Sequence, residues 1–173
     1  MDSSAHLDSV RASPKDAGVV KLIVLRLPNE QRQTPSQAAL CVERGVAGDR
    51  WSLKPNANPA SQVSVMNARF LEAIAGVAGR MDLAGNNLIV DLDLSESNLP
   101  AGTRLRIGQA VIEVTDLPHT ACSKFERRYG KAMRDLTNSA EGSALRLRGF
   151  YARVIHGGEV RLGDSVQKET PIA

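Results

Sequence analysis

The sequence predicts a mainly β protein with a few helices, whose strands form a closed or partly closed barrel. The 173-residue chain contains many short segments that are rich in β-branched residues or alternate between apolar and polar side chains. Only two segments have the periodicity of an amphipathic helix, and they do not alternate with strands as repeating units. A barrel is therefore expected rather than a parallel sheet covered by helices.

The length fits one domain with its own hydrophobic core and is too short for two ordinary domains. Residues 1–17 are rich in Ser, Asp and Ala and have no periodicity, which predicts a flexible N-terminal tail. We expect residues 18–173 to form a single barrel domain.

The first half of this domain contains four predicted strands and one helix. Asn67 fits the N-cap position of the helix, which we expect to run from Ala68 to about Ala78. Phe70 and Leu71 lie on its predicted buried side. The strands are residues 19–25, 37–44, 62–66 and 87–91.

The clearest local prediction is a β-hairpin between residues 103 and 115. Gly108 and Gln109 fit a two-residue type II′ turn between strands of alternating polarity. That turn pairs Leu105 with Ile112 on the core face of the barrel. The opposite face then carries Arg104, Arg106 and Glu113.

A second helix is predicted from Lys124 to Leu136. Its apolar residues, spaced four, four and three apart, are Phe125, Tyr129, Met133 and Leu136. Residues 137–148 read as a polar connection. The last predicted strands are residues 150–155, 159–162 and 165–168.

The composition limits the kinds of partner. A net charge of +3 and a pI near 9.1 suit an anionic small molecule as well as nucleic acid. Aromatic residues make up 3% of the chain and leave few platforms for stacking bases. We therefore expect no nucleic-acid partner.

The cysteines and the apolar runs indicate the compartment. Cys41 and Cys122 form no Cys-x-x-Cys pair and no cluster with zinc-site spacing. Residues 1–18 lack the apolar core of a secretory signal, and no later apolar run has the length of a membrane span. We expect a cytoplasmic protein with reduced thiols and no membrane contact.

The segment from Asp116 to Gly130 brings together a thiol, an imidazole and several cations. Cys122 lies where a strand gives way to a helix, and unpaired N–H groups at a helix start stabilise a thiolate, the form that attacks electrophiles and binds metals. Ser123 to Glu126 fits a capping box that places Cys122 just outside the first turn, whereas Thr120 as the cap would place it inside. A small buried apolar cysteine is the alternative interpretation.

A second candidate segment runs from Gly45 to Trp51. Two glycines, Gly45 and Gly48, closely precede the Asp49-Arg50 pair, which indicates backbone that turns tightly or approaches a ligand. The alternative is an ordinary turn that Asp49 caps and in which Arg50 is solvated.

Four segments, in matching order and spacing over about residues 19 to 168, resemble the MOSC family, named for the C-terminal domain of molybdenum-cofactor sulfurase. Gly45 to Trp51 resembles the family's Gly-x-x-Gly-Asp-Arg-His, and Gly85-Asn-Asn-Leu88 resembles its Gly-Glu-Asn-Leu. The hairpin and cysteine of the family correspond to Arg106–Val114 with Cys122, and its C-terminal hairpin to Tyr151–Val154 with Gly158–Asp164. Departures from the family are Trp51 for His, His119 for Arg and Ala121 for Pro.

The resemblance implies a MOSC-type barrel with peripheral helices and three alternative functions. In the first, the chain is a small oxidoreductase module that acts on N-hydroxylated compounds, with Cys122 as a ligand of the molybdenum in a molybdopterin cofactor. In the second, Cys122 carries sulfur as a persulfide and His119 assists proton transfer. In the third, a non-catalytic domain binds an anionic small molecule.

The resemblance also implies the cofactor contacts. Arginine forks match phosphate in two hydrogen bonds, and an amide suits the edge of a pterin. The candidate contacts are Asp49, Arg50, Asn87, Lys124, Arg128 and Arg153. Because the chain lacks the additional domains of larger family members, it is expected to act alone or with separate partners, of which a redox partner is one candidate.

Overall fold

The computed structural model describes residues 3–76 and 81–170. Its strands are β1 (Ala17–Ile23), β2 (Leu25–Arg26), β3 (Arg32–Gln33), β4 (Gln37–Cys41), β5 (Gly45–Val46), β6 (Val63–Asn67), β7 (Leu88–Asp91), β8 (Arg104–Ile107), β9 (Ala110–Val114), β10 (Phe150–His156), β11 (Gly158–Arg161) and β12 (Ser165–Lys168). Its helices are α1 (Ser3–Arg11), α2 (Ala68–Ala75), α3 (Ser123–Tyr129), α4 (Lys131–Asn138) and α5 (Ala140–Ala144).

The predicted barrel is confirmed. Its strands close in the order β1-β12-β8-β9-β10-β6-β7, and β1 pairs with β7 to complete the ring. Neighbouring strands are antiparallel except β6 and β7, which run parallel. A three-stranded sheet of β11, β4 and β5 and a short hairpin of β2 and β3 lie outside the ring.

Two apolar clusters hold the molecule together. Inward-facing strand residues such as Val65, Leu105 and Ile112 fill the barrel. Phe70 and Phe125 belong to a second cluster that packs the helices against the barrel. Burial of such side chains stabilises the fold by about 1.5–3 kcal/mol each.

The predicted hairpin is present with the predicted register. Leu105 pairs with Ile112 across β8 and β9, and both are fully buried. Gly108 has a φ of 54°, as the first central residue of a type II′ turn requires. The opposite face carries Arg104, which forms an ion pair with Glu113.

A helix occupies part of the segment that the sequence predicts as a flexible tail. Leu7 and Val10, three residues apart on α1, are buried in the helix cluster with Phe70 and Leu71 of α2. Two apolar positions in a short polar segment are too few to produce a recognisable period, which explains the difference. The division of the chain into domains at residue 17 stays a prediction.

The predicted second helix is interrupted. Gly130, with φ 90° and ψ 160°, ends α3 and precedes α4. Despite this break, the apolar side chains of both helices pack in the same cluster. The expected connection 137–148 contains α5, whose N-cap is Ser139.

The first predicted helix is α2, and Asn67 caps it as predicted. The expected end of this helix near Ala78 lies outside the described residues. None of the helices in the described parts has the length and apolarity that a membrane crossing requires.

Candidate functional site

Cys122 is the N-cap residue of α3 and is exposed. Ser123 is the first helical residue, so the position of the cysteine falls between the two that the sequence allows. The preceding backbone is fixed by Asn138, at the end of α4. Its side chain accepts a hydrogen bond from the N–H of Ala121 at 2.8 Å and donates one to the carbonyl of the same residue at 2.9 Å.

Local groups favour the thiolate form of Cys122. Partial burial raises the pKa of the thiol, but the backbone N–H groups of Phe125 and Lys124 lower it more. The guanidinium of Arg148 adds a further lowering, so the pKa of Cys122 lies below its ordinary value. The sulfur makes no full capping hydrogen bond in this rotamer, so these N–H groups act on it at longer range.

Arg148 is a buried cation whose neighbours do not neutralise it. One terminal nitrogen donates to Asn86 Oδ1 and the other to the Ala84 carbonyl at 3.0 Å, while the guanidinium lies over the Phe125 ring. Its buried Nε has no partner among the described residues. Burial lowers the pKa of Arg148 to about 10, which leaves it protonated at neutral pH.

Barrel topology brings Asn86 and Arg148 together although they are 62 positions apart. Val65 of β6 pairs on one side with Leu88, the first residue of β7, and on the other with Phe150, the first residue of β10. The residues just before these two strands therefore meet beside β6. Gly149 permits the approach, since a Cβ there would lie 1.8 Å from the Val65 carbonyl oxygen.

Asp49 organises the neighbouring loops. Its buried carboxylate accepts from Arg26 Nη2 at 2.7 Å, from the Trp51 N–H at 3.0 Å and from Asn87 Nδ2 at 3.0 Å. Burial raises the pKa of Asp49, but the hydrogen bonds and charge of Arg26 lower it more, so the net pKa is below the ordinary value. The Asn87 side-chain oxygen accepts from Ser64. Asp49 and Asn87 are thus occupied in the scaffold rather than open to a ligand.

Arginines converge on Gly85, which precedes these two asparagines. Arg26 Nη1 donates to its carbonyl at 3.4 Å. A Cβ at Gly85 would lie 3.7 Å from Arg32 Nη2 and 3.9 Å from Arg128 Nη1, and the residue has a φ of 80°. Because Gly85 has no side chain, the space beside it, here called the Gly85 cradle, is bordered directly by the guanidinium groups of Arg32 and Arg128.

Arg50 belongs to the same cluster. Burial and the nearby charges of Arg128, Arg50 and Arg26 lower the pKa of Arg32. The Nε atoms of Arg32 and Arg50 are buried and have no partner among the described residues. Buried donors are normally satisfied, so these atoms mark a place where an anionic ligand could bind.

The remaining predicted site residues differ in their placement. Lys124 is exposed and pairs with Glu30 at the edge of the cluster. Arg153 lies on the outer face of β10, where it pairs with Glu113 at 2.5 Å. Arg153 thus pairs on the barrel wall and not with the arginines around Gly85, and its predicted cofactor contact stays a prediction.

His119 is half-buried and stacks on Tyr151 with ring centroids 4.0 Å apart. Burial, followed by the charges of Arg148 and Arg26, lowers the pKa of His119 well below its ordinary value. The imidazole is therefore neutral at neutral pH, whereas an exposed histidine would titrate near neutrality. A cavity of about 170 Å³ adjoins both His119 and Arg148.

The sequence interpretation missed several residues of the site. Arg26, Arg32 and Arg148 stand in no recognised motif, and no spacing rule connects them. Asn86 stands at the Glu position of the family's Gly-Glu-Asn-Leu segment, and in the structure its side-chain oxygen accepts a hydrogen bond from Arg148. The described residues contain no group of three or more His, Cys, Asp or Glu side chains suited to a metal ion.

Comparison with known proteins identifies the family. Residues 46–167, more than half of the chain, match the MOSC domain. No curated protein matches the chain.

Solved structures share the fold at low sequence identity. The YUAD protein from Bacillus subtilis is 14% identical with a TM-score of 0.60, and the match covers 88% of this chain and 95% of that one. YiiM from Escherichia coli is 20% identical with a TM-score of 0.58, covering 90% and 71%. A crystal structure of a hypothetical protein is 20% identical with a TM-score of 0.63, covering 95% and 72%.

Proposed function

Because the chain belongs to the MOSC domain family, we propose that it binds the molybdenum cofactor between Cys122 and the arginines around Gly85. The observation that carries this proposal is the convergence of arginines on Gly85, where the buried Nε atoms of Arg32 and Arg50 have no partner among the described residues, together with a cysteine that favours the thiolate. The cofactor is a pterin that bears a phosphate and a dithiolene, so it requires both kinds of group.

The arginines suit the phosphate. Arg32, Arg50 and Arg128 would hold it, because a guanidinium donates two parallel hydrogen bonds to a phosphate. The unpartnered Nε atoms of Arg32 and Arg50 support this assignment. Arg26 would act indirectly, since Asp49 holds it in place.

Cys122 suits the metal because the thiolate, and not the thiol, is the form of cysteine that binds metals. Arg148 stabilises the negative charge of the sulfur before the ligand arrives. When bound, the cofactor supplies oxidation–reduction chemistry, and we propose that the chain is a small oxidoreductase module for N-hydroxylated compounds that uses a separate redox partner. Neutral His119 would donate or accept one hydrogen bond near the site.

The test is the molybdenum and pterin content of protein produced in a host that makes the cofactor. We expect the parent protein and the Cys41→Ser control to carry both, and Cys122→Ser to lose most of the molybdenum. Parent protein that contains neither molybdenum nor pterin after production in that host would contradict the proposal.

A sulfur-carrier function is the second candidate, and the exposure of Cys122 favours it. An exposed thiolate can attack the outer sulfur of a donor persulfide, which forms a persulfide on Cys122 and releases the donor as its thiolate, and the same exchange passes the sulfur on to an acceptor thiolate. Mass spectrometry of unreduced parent protein separates the two functions. A persulfide on Cys122 in protein that contains no molybdenum would support the carrier function. Bound pterin in protein that has neither a persulfide nor molybdenum would support a non-catalytic domain that binds an anionic small molecule.

A further inference from the structure

Glu30 places a carboxylate at the edge of the arginine cluster. It lies in the turn between β2 and β3, with Oε1 2.5 Å from Lys124 Nζ and Oε2 3.4 Å from Arg128 Nη2. Both carboxylate oxygens therefore face cations, and one of these cations, Arg128, lies beside Gly85. The pKa of Glu30 is lowered chiefly by its hydrogen bond with Lys124.

The backbone of this turn is held in an unfavourable conformation. Asn29 and Glu30 have φ angles of 59° and 58°, in the left-handed region that non-glycine residues avoid. Hydrogen bonds from the Leu27 N–H to the Gln31 carbonyl and from the Gln31 N–H to the Pro28 carbonyl close the turn. The turn thus directs Glu30 toward the cluster at a conformational cost, which its ion pairs help to offset.

We infer that Glu30 is an internal competitor for the anion pocket and restricts that pocket to ligands with two negative charges, such as a phosphate monoester. The inference rests on the proposed anion pocket but not on the presence of a metal. A tethered carboxylate has a high effective concentration, so a free monoanion that offers the same interactions gains nothing by displacing it. A phosphate dianion has more charge and three acceptor oxygens, so it can replace the carboxylate.

The charge distribution supports this selectivity. Asp49 already neutralises Arg26, whereas Arg32 and Arg50 have no ion-pair partner among the described residues. Displacement of Glu30 adds Lys124, its closer partner, to the groups that can contact the ligand. A dianion would therefore meet more cationic groups than Glu30 itself contacts.

The experiment measures binding of inorganic phosphate and of acetate by calorimetry at mildly alkaline pH, without the cofactor. We expect the parent to bind phosphate and not acetate. Glu30→Gln should bind phosphate about fivefold more tightly, the size expected when two exposed ion pairs no longer compete, and should bind acetate measurably. Glu30→Ala should give the same changes. Agreement between the two variants shows that the changes come from loss of the carboxylate and not from the amide group of the glutamine.

Asp135→Asn is the matched control, because Asp135 is an exposed carboxylate paired with Lys131 and Arg134 away from the cradle. It should bind phosphate with the affinity of the parent and, like the parent, should not bind acetate. Unchanged or weaker phosphate binding by both Glu30 variants, or equal binding of acetate and phosphate by the parent, would overturn the inference. If these results hold while the cofactor assay finds neither pterin nor molybdenum, the proposed function fails and the dianion pocket remains.

Discussion

Cys122 differs from Cys41 in both access and charge environment. Cys122 is exposed and Arg148 lowers its pKa, whereas Cys41 is half-buried in β4. A lower pKa increases the thiolate fraction at neutral pH, so alkylation should modify Cys122 first, with a midpoint below the ordinary value of about 8.5. Peptide mapping after brief labelling checks the order, and faster labelling of Cys41 would contradict the site assignment.

The same titration tests the arginine. Arg148→Gln removes a positive charge next to the sulfur, so the alkylation midpoint should move to higher pH. Arg153→Ala is the control because Arg153 is paired with Glu113 on the barrel wall. Equal midpoints for Arg148→Gln and the parent would show that the arginine does not act on Cys122.

Asp49 should contribute to stability more than any exposed carboxylate. Asp49→Asn leaves the largely buried Arg26 without its counter-charge, and we expect a loss of about 3 kcal/mol in urea unfolding at neutral pH. The folded pKa of Asp49 is depressed, so its contribution is present above its ordinary pKa of about 3.9 and is lost as the pH falls through the lower folded pKa. The difference between variant and parent should therefore shrink in acid; a difference that is absent at neutral pH would contradict the account.

At the scale of elements, the loop before β7 carries the cradle. Gly85→Ala adds a methyl group between Arg32 and Arg128 and strains a φ of 80°, so we expect about tenfold weaker phosphate binding. Gly102→Ala has a φ of 89° and open space around the added atom. Both variants should lose about 1 kcal/mol in the free energy of unfolding. Only Gly85→Ala should bind phosphate more weakly. Equal phosphate affinity in the two variants would show that phosphate does not bind at the Gly85 cradle.

The helix α1 should be part of the folded unit. Leu7→Ala removes a side chain buried against α2, and we expect a loss of about 2–3 kcal/mol in the free energy of unfolding. Ser9→Ala, on the exposed side of the same helix, should leave stability unchanged. If Leu7→Ala is also neutral, the segment behaves as the flexible tail that the sequence predicts.

Elements differ in how far the sequence predicts them. The β8–β9 hairpin is predictable because turn chemistry and alternation act within a dozen residues and agree. The break at Gly130 is not, because an apolar period runs through it and both halves pack in one cluster. A single glycine inside a helical period is compatible with a continuous helix, so local sequence does not reveal this break.

At the scale of the whole molecule, barrel closure assembles the site from segments that are distant in the chain. The starts of β7 and β10 both pair with Val65, and this places Asn86 beside Arg148. Alternating segments and turn residues predict the barrel, which the structure confirms, and recognisable segments single out Cys122 and Arg50 as candidates. The position of Arg148 beside Asn86 and the pairing of Arg153 with Glu113 depend on strand register, which the local pattern does not determine.

The central claim is that Cys122 ligates molybdenum in the cofactor bound at the arginine cluster. X-ray absorption at the molybdenum edge tests it most directly, because it counts the sulfur atoms bound to the metal. We expect each molybdenum in the parent and in Cys41→Ser to have one more bound sulfur atom than the molybdenum that Cys122→Ser retains. The same sulfur count with and without Cys122, or a parent protein without molybdenum, would contradict the claim.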